Sequence, residues 1–358
     1  MLDDLFSKRL DSMEEYVAGK TVDEIAEKYS LDPDQIISLS SNQNPFSLPN
    51  QVKRSIKDSS EDVSSYPSPK DFYSLKKSVS DYIGFSPSNI ALGAGIDGVL
   101  ETLMKVFLEK DDETLIPVPT FSYYKILSKV FDASPAYIER GKRFEIDPEK
   151  IKSNVKEDTK LIFLCSPNNP TGNLVQEETL KTALDTGKIV LLDEAYAEFS
   201  SRDYVDWVSN YDNLVVLRTF SKAFGLAGLR VGYAVMSEEI VEKYRSISPP
   251  FPLTVPSINA AKTSLNNLNH LNEIINKIKT GRDFLTEEIK FKTFKTEANF
   301  VLTDVSPHNS EEVCEKLMKQ GIILRDCSHM SIKDRNLVRI TVGKEKENKK
   351  VVTALNQI

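Results

Sequence analysis

Four short runs rich in Val, Ile and Leu, at residues 161–165, 189–192, 214–217 and 231–235, constrain this chain more than any other feature. Runs of that length and composition read as buried strands. Helix-compatible stretches separate the first three, so the pattern predicts a doubly wound α/β core with a largely parallel sheet. Open sheets of this kind bind ligands beyond the carboxyl ends of their strands, and the polar signatures fall at those ends. Ser166-Pro167-Asn168-Asn169-Pro170-Thr171-Gly172 follows the first run, Asp193-Glu194-Ala195-Tyr196 the second, and a turn carrying Ser221 and Lys222 the third. The three segments are expected to meet on one edge of the sheet.

With 358 residues the chain exceeds the usual single core, which predicts one large and one smaller domain. Pro249, Pro250, Pro252 and Pro256 break the pattern and mark the junction. Beyond it, Leu265, Leu268, Leu271, Ile274, Ile275 and Ile278 recur at helical spacing, which predicts one long amphipathic helix with these residues in the core. Later runs at 298–302, 322–324 and 338–341, with a helical segment over 311–320, predict a small α+β domain. No apolar run approaches the roughly 18 residues of a membrane span. The opening residues are charged and mixed, without an apolar signal core, so a cytosolic protein is expected. Cys165, Cys314 and Cys327 are odd in number and widely spaced, which predicts free thiols; His270, His308 and His329 lack ligand spacing, so no metal site is expected. A formal charge of −7 argues against a general nucleic-acid binder and says little about a local anion site.

Residues 218–233 place a hydroxyl, an amine and a guanidinium around one glycine-bearing turn. Ser221 and Arg230 can hold an anion while Lys222 stays beside it, which suits a phosphorylated aldehyde carried as a Schiff base, that is, pyridoxal phosphate. That cofactor needs an acid opposite its ring nitrogen, donors to its ring oxygen and a cradle for its phosphate. Asp193 can pair with a protonated pyridine, because neighbouring positive charge favours an ionised carboxylate. Tyr196 and Asn169 can donate to the ring oxygen, and Phe121 can cover the ring. Gly93-Ala94-Gly95-Ile96-Asp97-Gly98 leads into a helical stretch at 99–108 and exposes backbone N–H groups to a phosphate. The same motif could serve a nicotinamide dinucleotide, yet Asp111, Asp112 and Glu113 precede the next apolar run instead of ending it. For a second anion, Arg339 in an apolar strand needs a partner charge. Arg325 is a plausible neighbour, with Asp326 as its own alternative partner.

In order and spacing these residues resemble the fold-type I pyridoxal-phosphate aminotransferases, most closely the histidinol-phosphate aminotransferase branch. The resemblance rests on 166–172, 193–196, 218–232, 321–325 and 337–343. It implies that Lys222 holds the cofactor, that Asp193 faces the pyridine nitrogen, and that Tyr196 and Asn169 hold the ring oxygen. Ser221, Arg230 and the backbone of Ile96 and Asp97 would take the phosphate. Tyr66, in Ser65-Tyr66-Pro67, matches a tyrosine that in relatives reaches the phosphate of the neighbouring subunit, which implies a homodimer. Tyr16 matches an N-terminal arm that closes on substrate beside Arg325 and Arg339. The implied division is an arm over 1–40, a large cofactor-binding domain over 41–250 and a small domain over 251–358. The implied reaction is a ping-pong transfer between glutamate and imidazole-acetol phosphate. Gln43, Ser47 and Phe121 stand where relatives often carry Glu, Gly and Tyr. Aromatic amino-acid aminotransferases and threonine-phosphate decarboxylases share the scaffold and are the alternatives.

Overall fold

The computed structural model describes residues 5–16, 19–328, 330 and 335–358; His329 lies outside them. In chain order the strands are β1 (Ile37–Ser38), β2 (Ile90–Ala94), β3 (Glu113–Val118), β4 (Ser134–Glu139), β5 (Thr159–Cys165), β6 (Ile189–Asp193), β7 (Leu214–Thr219), β8 (Val231–Val235), β9 (Lys292–Thr293), β10 (Phe300–Asp304), β11 (Ile322–Ile323), β12 (Arg325–Asp326) and β13 (Leu337–Thr341). The large sheet has seven strands in the order β2-β8-β7-β6-β5-β3-β4. β3 to β7 run parallel and β8 runs antiparallel to both its neighbours. The four apolar runs are all strands of this sheet. β6 and β7 have almost no exposed side chain on either face, as expected of parallel strands covered on both sides.

A four-stranded antiparallel sheet, ordered β12-β13-β10-β9, forms the smaller α+β unit. β1 pairs with β11, Ile37 opposite Ile322, so the chain before residue 40 is tied to C-terminal residues. Thr341 N–H then donates to the Leu39 carbonyl at 2.9 Å, and residues 40–44 cross from that sheet toward the large one.

Three local expectations need correction. The stretch between β6 and β7 holds only 3-10 turns, Ala197–Phe199 and Val205–Ser209, not an α-helix. The long helix is two, Val255–Leu265 and Leu268–Glu288. Asn266 and Asn267 interrupt it, the Asn267 amide donating to the Thr263 carbonyl at 2.7 Å, an alternative to helix continuation that asparagine favours. Leu268, just after the break, is exposed at 37%, whereas Leu271, Ile274 and Ile278 are core. The helix after the glycine motif begins earlier than residue 99, at Gly95 (Gly95–Phe107). The helix Val255–Leu265 packs on Asn50–Asp58 and Pro69–Ile83, while Leu268–Glu288 packs on Glu345–Leu355 and β10. No helix among the described residues is long and apolar enough to cross a membrane.

Candidate active site

β5 and β6 end level with one another, and β7 runs two residues further, to Thr219. Cys165 pairs with Asp193 across β5 and β6, and Asp193 with Leu217 across β6 and β7. The chain therefore leaves the sheet at adjacent points and the three polar segments meet. They line a cavity of about 230 Å³, and every candidate residue except Tyr66 lines it with them.

Asp193 ends β6 and is 5% exposed. One carboxylate oxygen accepts from the Tyr124 hydroxyl at 2.6 Å and the other from the Ala195 N–H at 3.0 Å. Burial pushes its pKa up to about 6, against the Tyr124 and Ala195 hydrogen bonds. Among the described residues no cation pairs with it, although Lys222 lines the same cavity.

Lys222 sits after β7 on a turn closed by the Gly225 N–H on the Lys222 carbonyl (3.2 Å) and the Leu226 N–H on the Phe220 carbonyl (2.9 Å). Its Nζ is 3.4 Å from the Ser41 carbonyl and 5.8 Å from the centroid of the Tyr196 ring. Burial, then Arg339 and Arg230, push the amine down to about 8, with Asp97 and Asp193 opposing. Ser221 Oγ accepts from Thr219 Oγ1 at 3.0 Å, which leaves its own proton for the cavity.

Across the cavity, the first-turn N–H groups of Ile96 and Asp97 have no intrahelical acceptors. Two glycines make this corner. Gly95 has φ +73°, and a Cβ there would lie 2.4 Å from Arg230 Nη2; a Cβ on Gly232 would lie 2.4 Å from the Gly95 carbonyl carbon. Arg230 is aimed by Asp97, whose carboxylate accepts from Nη2 at 2.7 Å. The Asp97 side chain thus has a part of its own besides the backbone N–H.

The cavity's far wall comes from the small sheet. Arg325 and Arg339 are direct partners across β12 and β13, and both are buried. Arg339 donates to Asn169 Oδ1 and, at 2.6 Å, to the Ser40 carbonyl, while its buried Nε has no partner among the described residues. The Arg339 bond turns the Asn169 NH₂ group outward as a donor. Asp326 accepts instead from Ser310 (2.7 Å) and Ser328 (2.5 Å). Tyr196 Oη accepts from Asn42 Nδ2 at 3.0 Å. Phe121 and Tyr16 meet edge to face, with ring centroids 6.0 Å apart. Tyr66 is 78% exposed and stacks on Phe251 at 4.3 Å, away from the cavity of its own chain.

Sequence reasoning missed Tyr124, Asn42, Thr219 and the Asp97 carboxylate. Tyr124 is the second residue of the helix Tyr123–Val130, three residues beyond Phe121, and only its contact with a strand 69 residues away marks it.

A lysine, an acid and an anion cradle gathered at the carboxyl edge of such a sheet are groups that amino-group transfer requires. The family described as aminotransferase class I and II matches residues 34–355, and the chain belongs to it. It is 42% identical to the histidinol-phosphate aminotransferase of Methanosarcina mazei over 98% of this chain and 96% of that protein. The solved histidinol-phosphate aminotransferase of Clostridium acetobutylicum is 29% identical, with a TM-score of 0.83 over 90% of this chain and 98% of its own. The enzyme of that name from Sinorhizobium meliloti, solved with pyridoxal-5'-phosphate, shares the fold at a TM-score of 0.88 and 22% identity over 98% of this chain and 96% of its own. Within the family, the chain groups with the histidinol-phosphate aminotransferases.

Proposed function

We propose that this chain is a pyridoxal-phosphate-dependent aminotransferase that moves the amino group between glutamate and imidazole-acetol phosphate, a step of histidine biosynthesis, in the cytosol. The observation that carries the reading is the meeting of Lys222, Asp193 and an anion cradle on one sheet edge. The residues fit the cofactor. Among the described residues, Ser221 Oγ and the Ile96 and Asp97 N–H groups are donors without a final acceptor, and Gly95 and Gly232 let the Arg230 guanidinium and the helix's first backbone groups come close, where a Cβ would collide with them. When bound, the cofactor supplies an electron sink for the charge that develops at the substrate Cα.

The chain does the rest. Lys222 would hold the cofactor's carbonyl carbon, and Asp193 would face its ring nitrogen. Tyr196 and Asn169 would donate to its ring oxygen, with Phe121 on its face. Ser221, Arg230 and the helix N-terminus would hold its phosphate, at roughly 1.5–3 kcal/mol for each charge-assisted bond. With its pKa lowered to about 8, Lys222 Nζ is partly neutral at physiological pH, and once free it would take the proton from the substrate Cα and deliver it to the cofactor's carbonyl carbon. Arg325 and Arg339 hold the substrate's phosphate in one half-reaction and a carboxylate in the other, and Tyr16 closes over them.

Borohydride reduction of the cofactor-loaded protein is expected to leave the added mass on Lys222; a clean Lys222 peptide removes the reading. Substrate choice is tested by kcat/KM for imidazole-acetol phosphate against phenylpyruvate, in wild type and Arg325→Ala. Loss of the preference for the phosphorylated substrate is expected, and an unchanged ratio removes Arg325 as the phosphate reader. Release of carbon dioxide would replace the transferase with a decarboxylase. The exposed Tyr66–Phe251 stack fits a homodimer in which Tyr66 reaches the partner's cofactor phosphate, and a monomer in sedimentation would remove that assignment.

A further inference from the structure

One wall of the cavity carries a chain of hydrogen bonds whose direction is forced. Asn42 is 1% exposed and left-handed, with φ 53°. Its backbone N–H donates to Thr341 Oγ1 at 3.0 Å. A backbone N–H has no other role, so the Thr341 hydroxyl accepts there and its own proton must go elsewhere. It faces the Asn42 side-chain amide at 3.1 Å, which makes that atom the amide oxygen. With the amide reversed, the Thr341 proton would have no acceptor, since Thr341 Oγ1 makes no other hydrogen bond among the described residues. The amide nitrogen is therefore the atom that meets Tyr196 Oη, 3.0 Å away.

The Tyr196 oxygen thus accepts from Asn42, and burial holds its phenol in the protonated form. Its proton is left pointing at the cavity. The Asn42 carbonyl accepts from Asn299 Nδ2 at 3.1 Å, so the backbone is pinned as well. Arg339, Asp193, Cys165 and Lys222 are the other charged or titratable groups around the Tyr196 ring and hydroxyl.

We infer that Asn42 is a positioning residue: by donating to Tyr196 Oη it directs the tyrosine's proton at the cofactor's ring oxygen. This rests on the reading of Tyr196 given above. Aspartate has nearly the same shape and also tolerates a left-handed backbone, but its carboxylate only accepts. Asn42→Asp therefore reverses the arrow, and the Tyr196 proton turns away from the cavity.

The readouts are kcat and the pH at which the visible absorption of the cofactor-loaded enzyme titrates. A donor to the ring oxygen weakens that oxygen's hold on a nearby proton, so losing the donor moves the titration to higher pH. Tyr196→Phe is expected to raise it by about one unit, and Asn42→Asp by a similar amount with roughly a tenfold loss in kcat. On a Tyr196→Phe background, Asn42→Asp is expected to add almost nothing, because both changes remove one donor. Thr341→Val, which frees the amide to turn, gives a partial shift. The inference is overturned if Tyr196→Phe shifts the titration while Asn42→Asp does not, or if Asn42→Asp shifts it equally on both backgrounds, the mark of its charge alone. Should Asn42→Asp not fold, an unshifted Thr341→Val overturns it instead. No shift in Tyr196→Phe itself brings down the reading of Tyr196, a separate outcome.

Discussion

Asp193 and Glu194 are neighbours at one strand end, both buried, and they live in opposite electrostatic worlds. Glu194 faces away from the cavity. Its carboxylate accepts from Arg218 Nε at 2.9 Å and from the Tyr204 N–H at 2.7 Å, and it lies 2.7 Å from Arg218 Nη2 in an ion pair. Arg218 also lies 3.3 Å from Asp203 and 3.9 Å from Glu198. Asp193 faces the cavity with a phenol and one amide, and makes no ion pair among the described residues. Burial raises both carboxyls, Asp193 to about 6 and Glu194 to about 7; at Glu194 the Arg218 guanidinium opposes the rise without cancelling it, whereas Asp193 has no guanidinium beside it. A charge saturated by its own fold is structural. One left short of a cation is open to a charge from outside, and at Asp193 that charge is the proposed pyridinium.

The sharpest challenge to this contrast comes from the open side. Replacing Lys222 by Ala is expected to lower kcat by at least about 10³-fold with little change in Tm. A smaller kinetic loss alongside a large drop in Tm would make Lys222 a structural group like Arg218. Asp193→Asn is expected to cost about 10²–10³-fold in kcat/KM while leaving the apoprotein as stable as before or more so. The pH dependence gives the sign. The unfolded carboxyl releases its proton near 3.8 and the folded one near 6, so between those values the folded state binds more protons and apoprotein stability falls as pH rises. Urea titrations across that window should show the slope in wild type, with Asp193's share missing from Asp193→Asn.

The closed side behaves the other way. Arg218→Met strands Glu194 and is expected to destabilise the fold by about 3–5 kcal/mol in urea melts. Equal losses from Arg218→Met and Asp193→Asn would erase the distinction. Smallest is Tyr124→Phe, which removes a hydrogen bond worth about 1 kcal/mol. That bond favours the ionised Asp193, so its loss moves the acid limb of the kcat/KM profile to higher pH; an unmoved limb would show that Tyr124 only packs.

Much of the fold was legible because buried parallel strands need uninterrupted apolar runs, and the four runs are β5 to β8. Lys222, Asp193 and Asn169 were legible for a related reason, since each follows such a run and a strand end is where a sheet presents polar groups. The break at Asn266 and Asn267 was not, because apolar spacing continues through it and only the side-chain bond to Thr263 ends the helix. Tyr124 and Asn42 were invisible. Each acts through a hydrogen bond to a residue 69 or 154 positions away, and no local pattern marks such a bond.

Taken alone, the chain's order of residues determined which side chains reach the sheet's carboxyl edge, because strand alternation and run length are local properties. Only the packed structure decided which of two adjacent carboxylates would be neutralised, and which way the Tyr196 proton points. Those outcomes depend on donors and charges brought from distant segments, and hydrogen-bond direction is settled where they meet.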